Sequence, residues 1–409
     1  MIERLSRLPA PVRQYLIVTG NYWAFTLTDG ALRMLVVLHF HQLGYSPLQV
    51  AMLFLFYEIF GVITNLVGGW LGARIGLNRT MNIGLFLQIA ALSMLLVPPS
   101  ALSVVWVMAA QAISGIAKDL NKMSAKSAIK TLIPADAQGQ LYRWVALLTG
   151  SKNALKGAGF FLGGLLLTLF GFRLAMLIMA VALFWVWLLS LRFLKKDLGV
   201  AKNKPKFQDI FSKSRAVNIL SAARMFLFGS RDVWFVVALP VYLSVALDWH
   251  HWTIGSFMAL WVIGYGIVQA NAPKLTQRGA QSPDGRHALV WALALFLLPV
   301  LIALAITLDW YPTEILLGGL LVFGALFALN SSLHSYLIVS YAGEDGVSLD
   351  VGFYYMANAM GRLIGTVLSG WIFQRWGLAA CLWVSAAFIG LTALISVALP
   401  RGHSQESAS

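Results

Sequence analysis

Lys152 and Lys156 stand one helical turn apart inside LLTGSKNALKGAGFFLGGLLL, a stretch otherwise apolar and rich in small residues. Residues four apart share a helix face, so the two ammonium groups repel each other there, and no carboxylate on that helix can neutralise them. Comparable charges recur in other apolar runs: Asp29 and Arg33, Glu58, Arg231 with Asp232, and Arg362. A charge at membrane depth costs about 2.5–3.5 kcal/mol on insertion scales and usually faces a cavity or a partner. The chemistry such a set suits is recognition of a multiply charged oxyanion, with lysines as point charges and arginines as planar forks. Two readings stay open. Arg33, Lys152, Lys156, Arg231 and Arg362 bind an anion in a wet central cavity, or Asp29, Glu58, Asp232 and Asp350 neutralise them completely.

The neighbouring residues extend the set. Thr19, Tyr22, Thr26, Asp29 and Arg33 follow helical spacing and form one polar stripe, on which Asp29 and Arg33 are placed to pair with each other. Tyr354 and Asn358 precede Arg362 in the same way, and Tyr22, Tyr354 and Asn358 join the candidate substrate-binding residues. Asp29, Glu58 and Asp232 are candidates for orienting arginines or for carrying protons. Three further groups read as structural: Lys118, Lys122 and Lys126 as a solvated face, Arg224 as a side chain snorkelling to the surface, and His334 as a hydrogen-bonded core histidine. No nucleophile elbow, zinc-hydrolase pair or phosphate-cradling glycine loop is present, so neither catalysis, a metal nor a cofactor is expected. Cys381 is the only cysteine and reads as a packing residue.

The elements that must position these residues are membrane helices. Of 409 residues, 59% are hydrophobic and 11% charged, and the mean hydropathy is +0.76. Apolar runs of about 20 residues follow one another and divide into about twelve spans: 15–39, 48–72, 80–97, 102–124, 141–170, 172–194, 216–247, 253–274, 288–308, 313–341, 347–373 and 378–399. The net charge of +14 is concentrated in alternate loops, above all KKDLGVAKNKPKFQDIFSKSR, which argues for a membrane rather than nucleic acid. Trp249, Trp310 and Tyr311 mark the opposite interface. Basic loops stay in the cytoplasm, so both termini are expected there.

The basic loop divides the chain into a first six-helix half at 1–194, a linker at 195–215, a second half at 216–400 and a polar tail at 401–409. A single offset carries Gly159 onto Gly365, Gly164 onto Gly370 and Gly171 onto Gly377, and places Lys156 on Arg362. Such repeats are the sequence trace of a transporter that rocks about a midplane site. The fold expected is therefore all-α, with twelve transmembrane helices in two pseudo-symmetric halves. Export of a dianion down a negative-inside potential gains roughly 4.6 kcal/mol per 100 mV without a coupling ion.

Twelve spans in two halves with a basic central loop resemble the major facilitator superfamily. GGWLGARIGLNR resembles its loop signature through Gly69, Arg74, Gly76 and Arg79, although Ala73 stands where an aspartate is usual. More specifically, GNYWAFTLTDGALRMLVVLHFHQLGYSP, SGIAKDLNKMSAKSAIK, LLTGSKNALKGAGFFLGG and SAARMFLFGSRDVWFVVALP are similar to the organoarsenical efflux permeases of bacterial arsenic-resistance operons. That resemblance implies an inner-membrane exporter of 1-arseno-3-phosphoglycerate, which a glyceraldehyde-3-phosphate dehydrogenase supplies from arsenate. The residues alone equally admit an exchanger or exporter of another organophosphate.

Overall fold

The computed structural model describes residues 9–44, 53–134, 137–194, 198–203, 205–207, 211, 214–249, 251–276 and 283–401. Residues 48–52 of the expected second span, much of the basic linker (Lys195, Lys196, Lys204 and Lys213 among it) and the tail from 402 lie outside the described residues. The elements are helical: α1 Ala10–Gln42, α2 Leu55–Ile75, α3 Leu77–Met94, α4 Val104–Leu132, α5 Gln138–Phe193, α6 Arg215–Phe235, α7 Ala238–Val245, α8 His251–Thr276, α9 Gly285–Thr307, α10 Pro312–Tyr341 and α11 Val347–Ser396. A short 3-10 turn, Pro99–Ala101, precedes α4.

Among the described residues, glycines at positive φ divide two of the eleven helices. Gly171 in α5 has φ 71° and Gly377 in α11 has φ 76°, so each long helix bends into two arms that cross the membrane in succession. A side chain disfavours this backbone region, whereas glycine enters it at little cost. The opposite bookkeeping applies to α6 and α7, which form a single span interrupted at Val236 and Val237. There Ser369 Oγ on α11 accepts from the amides of Val237 and Ala238, at 3.3 and 3.1 Å. Pro240 lies in the first turn of α7, where its missing amide costs no helical bond.

Polar side chains start several helices at the membrane edge. Ser103 caps α4 by accepting from Trp106 N, and Ser214 caps α6 by accepting from Val217 N. Asp284 and His287 form a reciprocal capping box at α9. Large apolar side chains such as Leu169, Trp185 and Leu394 remain more than half exposed, as the hydrocarbon-facing side of a membrane helix requires.

Contacts divide the chain into two compact units. The first comprises Met1–Ala137, Ser151–Ser212 and Ala342–Met356; the second comprises Gln138–Gly150, Lys213–Tyr341 and Ala357–Ser409. In the first, Leu32, Leu35, Phe40, Leu92 and Met176 belong to a buried apolar cluster. In the second, Trp234, Trp261, Phe323 and Phe327 anchor a larger aromatic one.

Each unit is pinned by a glycine-on-glycine helix crossing. In the first, a Cβ on Gly159 of α5 would lie 3.1 Å from Gly30 Cα of α1. In the second, a Cβ on Gly365 of α11 would lie 3.1 Å from Gly229 Cα of α6. The pair that the sequence offset superimposes thus occupies matching crossings, and Gly171 and Gly377, the other such pair, make matching corners.

The opening segments of α5 and α11 each belong to the unit built mainly from the other half of the sequence. Within the first unit, Ser348 Oγ donates to Gly69 O at 2.7 Å, and Gly352 packs against the backbone of Asn65 and Gly69. Asp345 accepts from the amide of Lys202. Within the second, Gly150 packs on the backbone of Gly266 and Ala270, Tyr142 shares a hydrogen bond with Thr276, and Tyr336 donates to Gln138.

Candidate functional site

In the first unit the polar stripe of α1 finds its partners on α2. Tyr57 Oη donates to both oxygens of Asp29, at 2.9 and 3.0 Å, and Arg33 Nη2 meets Glu58 Oε1 at 3.3 Å. The expected Asp29–Arg33 pair is therefore replaced by two inter-helix contacts. Both α2 groups are adjacent in sequence, and the buried ring of Tyr57 carries its hydroxyl to the aspartate while Glu58 takes the arginine one turn away. The Arg33 guanidinium also lies over the rings of Phe54 and Tyr57, 5.0 and 4.7 Å from their centroids. Tyr22 is 1% exposed, and its hydroxyl has no hydrogen-bond partner among the described residues.

The lysines of α4 correct a second expectation. Lys126 is 2% exposed, and Lys118 and Lys122 bracket the buried Asp119 with their ammonium groups 3.7 and 2.5 Å from its carboxylate. Lys118 also stands 3.7 Å from the centre of the Tyr57 ring, while Lys122 and Lys126 share the face of Tyr355 at 4.7 and 5.2 Å. A helical period tells which residues share a face, not what that face meets. Here it meets tyrosines of α2 and α11 rather than water.

Lys152 donates to Asn153 Oδ1 at 3.2 Å, and both Lys152 and Lys156 are half-buried. Lys156 sits one turn before Gly159, and its carbonyl faces Gly30, so the close crossing of α1 and α5 fixes its backbone. Tyr354 is fully buried and stacks edge-on against Tyr355.

In the second unit one carboxylate serves two guanidinium groups. Asp232 is fully buried, with Arg231 Nε at 2.6 Å from Oδ1 and Arg362 Nε at 3.1 Å from Oδ2. Arg231 is further enclosed by the rings of Phe228, Phe235 and Phe327. Asp232 thus ties α6 to α11 through Arg231 and Arg362. Arg224 departs from expectation: it is 2% exposed, not snorkelling, and donates to Asn358 Oδ1 at 2.9 Å and Ser331 O at 3.2 Å. Its guanidinium lies 3.8 Å from the centre of the Phe228 ring. His334 also departs, since neither ring nitrogen has a hydrogen-bond partner among the described residues.

The structure therefore gathers Arg33, Glu58, Asp29, Tyr22, Lys152, Lys156 and Tyr354 in the first unit, and Arg231, Asp232, Arg362 and Asn358 in the second. Arg33, Arg231 and Arg362 each carry an ion pair within their own unit. Sequence reasoning passed over Tyr57 and Asp119. Asp119 was the available signal, an acid set into an otherwise cationic helix face. No group of three His, Cys, Asp or Glu side chains among the described residues is placed to hold a metal.

Several solved transporter structures share this architecture. The human organic anion transporter MFSD10 (TETRAN) superposes with a TM-score of 0.75 at 16% identity, over 95% of this chain and 100% of that one. A bacterial homologue of the iron transporter ferroportin, in an outward-facing state, superposes at 0.76 with 15% identity over 95% and 99%. The E. coli fucose:proton symporter FucP superposes at 0.72 with 13% identity over 95% and 99%. At such identities the likeness speaks for the fold alone. No curated protein matches the sequence itself. The profile described as Major Facilitator Superfamily matches residues 16–346, and the chain, a multi-pass membrane protein, belongs to that superfamily of transporters.

Proposed function

We propose that the protein exports an anionic arsenate ester, 1-arseno-3-phosphoglycerate, by alternating access of two six-helix halves, 1–194 and 216–400, about a midplane site. The observation that carries this reading is the excess of cations inside the helices. Arg33, Lys118, Lys122, Lys126, Lys152 and Lys156 accompany Asp29, Glu58, Asp119 and Asp350 in the first unit; Arg224, Arg231 and Arg362 accompany Asp232 in the second. Keeping surplus charge at membrane depth is costly, and a polyanionic cargo supplies the compensation while it is bound. Arg33, Lys152, Lys156, Arg231 and Arg362 are the proposed anion contacts, with Tyr22, Tyr354 and Asn358 orienting the ester. Asp29, Glu58 and Asp232 hold neighbouring donors. The proposed setting is the bacterial inner membrane with both termini cytoplasmic, and glyceraldehyde-3-phosphate dehydrogenase supplies the substrate.

The test is accumulation in everted vesicles supplied with NAD+ and given arsenate, glyceraldehyde 3-phosphate and the dehydrogenase. Uptake that needs all three supports arsenate-ester export; equal uptake of inorganic phosphate or a simple sugar phosphate replaces it with an organophosphate carrier. Lys156→Ala and Arg362→Ala are each expected to abolish arsenate resistance at normal expression. Normal resistance in the double variant removes both residues from the site.

A further inference from the structure

The start of α9 and the chain just past α11 are joined by a backbone bond, in which Gly285 N donates to Pro400 O at 3.1 Å. The joint is close: a Cβ on Gly285 would stand 2.5 Å from Leu399 Cβ. Arg286 and Arg401 are the residues that follow the two partners of this bond, and both are exposed. The acid beside them, Asp284, is occupied by the helix start. It accepts from the amides of Arg286 and His287 and meets His287 Nδ1 at 2.9 Å.

One turn further into the two helices runs an apolar groove of about 340 Å³. Leu289, Leu293 and Phe296 of α9 form one wall, and Ala393, Leu394 and Val397 at the end of α11 form the other. Gly390 widens it, since a Cβ there would come to 3.5 Å from the Phe296 ring. Leu293 and Leu394 are 51% and 70% exposed, as side chains that face acyl chains can be. Walls of this kind offer water no partner, whereas a chain of methylenes fills them. Arg286 precedes Leu289 by three residues and Leu293 by seven, so all three share one face of α9. Helical side chains tilt toward the helix start, which carries the guanidinium out of the hydrocarbon to the headgroup level.

We propose that this groove and its two arginines form a binding site for an anionic phospholipid. One acyl chain lies between α9 and the end of α11, and the phosphate accepts from Arg286 and Arg401 at the membrane edge. A basic pair at the mouth of a cleft between transmembrane helices suits such head groups. A neutral lipid gains the groove but little from the arginines. A second copy of the chain, docked through the same face, would bring its own two arginines against these. The site lies wholly within the second unit and holds whatever substrate the protein carries.

The test uses the full chain in detergent, with dioleoyl phosphatidylglycerol and dioleoyl phosphatidylcholine as separate probes and native mass spectrometry as the readout. Wild type is expected to hold one phosphatidylglycerol more tightly than phosphatidylcholine. The double variant Arg286→Gln, Arg401→Gln is expected to weaken phosphatidylglycerol about thirtyfold, or about fivefold per arginine, and to leave phosphatidylcholine unchanged. Gly390→Leu fills the groove and is expected to weaken both lipids. A second measurement needs no variant. Phosphatidylglycerol with a photoreactive acyl chain is expected to label peptides of α9 and the end of α11. Unlabelled phosphatidylglycerol should suppress that labelling, and phosphatidylcholine should not. A preference that survives in the double variant, labelling spread evenly over the helices, or equal suppression by both lipids overturns the proposal. A dimer in the same spectra with these peptides unlabelled overturns it in favour of contact between copies.

Discussion

The two units handle buried charge by different means. The first relies on lysines: Lys118, Lys122 and Lys126 stack on tyrosine faces around a single aspartate, and its arginine takes a carboxylate from a neighbouring helix. The second relies on arginines, two of which divide one carboxylate while a third is held by an amide, a carbonyl and a phenyl ring. An ammonium is a compact charge on a flexible stem and can move between partners; a guanidinium is planar and bonds in fixed directions. The first unit is thus built to rearrange and the second to hold a preset geometry, although both are pinned by the same glycine crossing.

The sharpest way to break this comparison is Asp232→Asn. It leaves two half-buried guanidiniums without their carboxylate, and an expected loss of about 1–3 kcal/mol should appear as a reduced folded fraction in detergent. Asp119→Asn in the first unit should cost clearly less, because lysines can reorient. Equal losses would erase the distinction. Tyr57→Phe removes the donor to both oxygens of Asp29 and is expected to cost about 1.5–3 kcal/mol, read by thermal unfolding.

The shared crossing predicts equal sensitivity. Gly159→Ala and Gly365→Ala each drive a Cβ to 2.7 Å from a backbone oxygen, so each is expected to lose about 1–3 kcal/mol. A large difference between them would show that the crossings are not equivalent. The smallest effect separates the two kinds of cation: Arg362→Lys should lower stability by about 1 kcal/mol through loss of its bond to Asp232, whereas Lys122→Arg should be near neutral in the same assay.

What could be read in advance follows from which requirements are local. Gly171 and Gly377 were legible as a repeated pair because a corner between two spans needs positive φ whatever surrounds it. Approximate helix positions were legible because the bilayer sets helix length, although α4 runs to Leu132, past the expected end at 124. Partner choice was not. Asp29 and Arg33 satisfy the spacing rule for a pair on one helix, yet Tyr57 and Glu58 capture them from the next helix. Arg224 lies near a helix start, where snorkelling is ordinary, and only the tertiary fold brings Asn358 and Ser331 to it.

The contacts that Gly69 and Gly150 make have a mechanical meaning. Gly69 meets Ser348 and Gly352, and Gly150 meets Gly266 and Ala270, largely through bare main chain, with one serine hydroxyl as the polar tie at the first. Surfaces without interlocked side chains can part and rejoin with no rotamer to unwind and little friction. Under the proposed alternating access such smooth seams would favour speed, and bulkier residues at those positions would act as a brake.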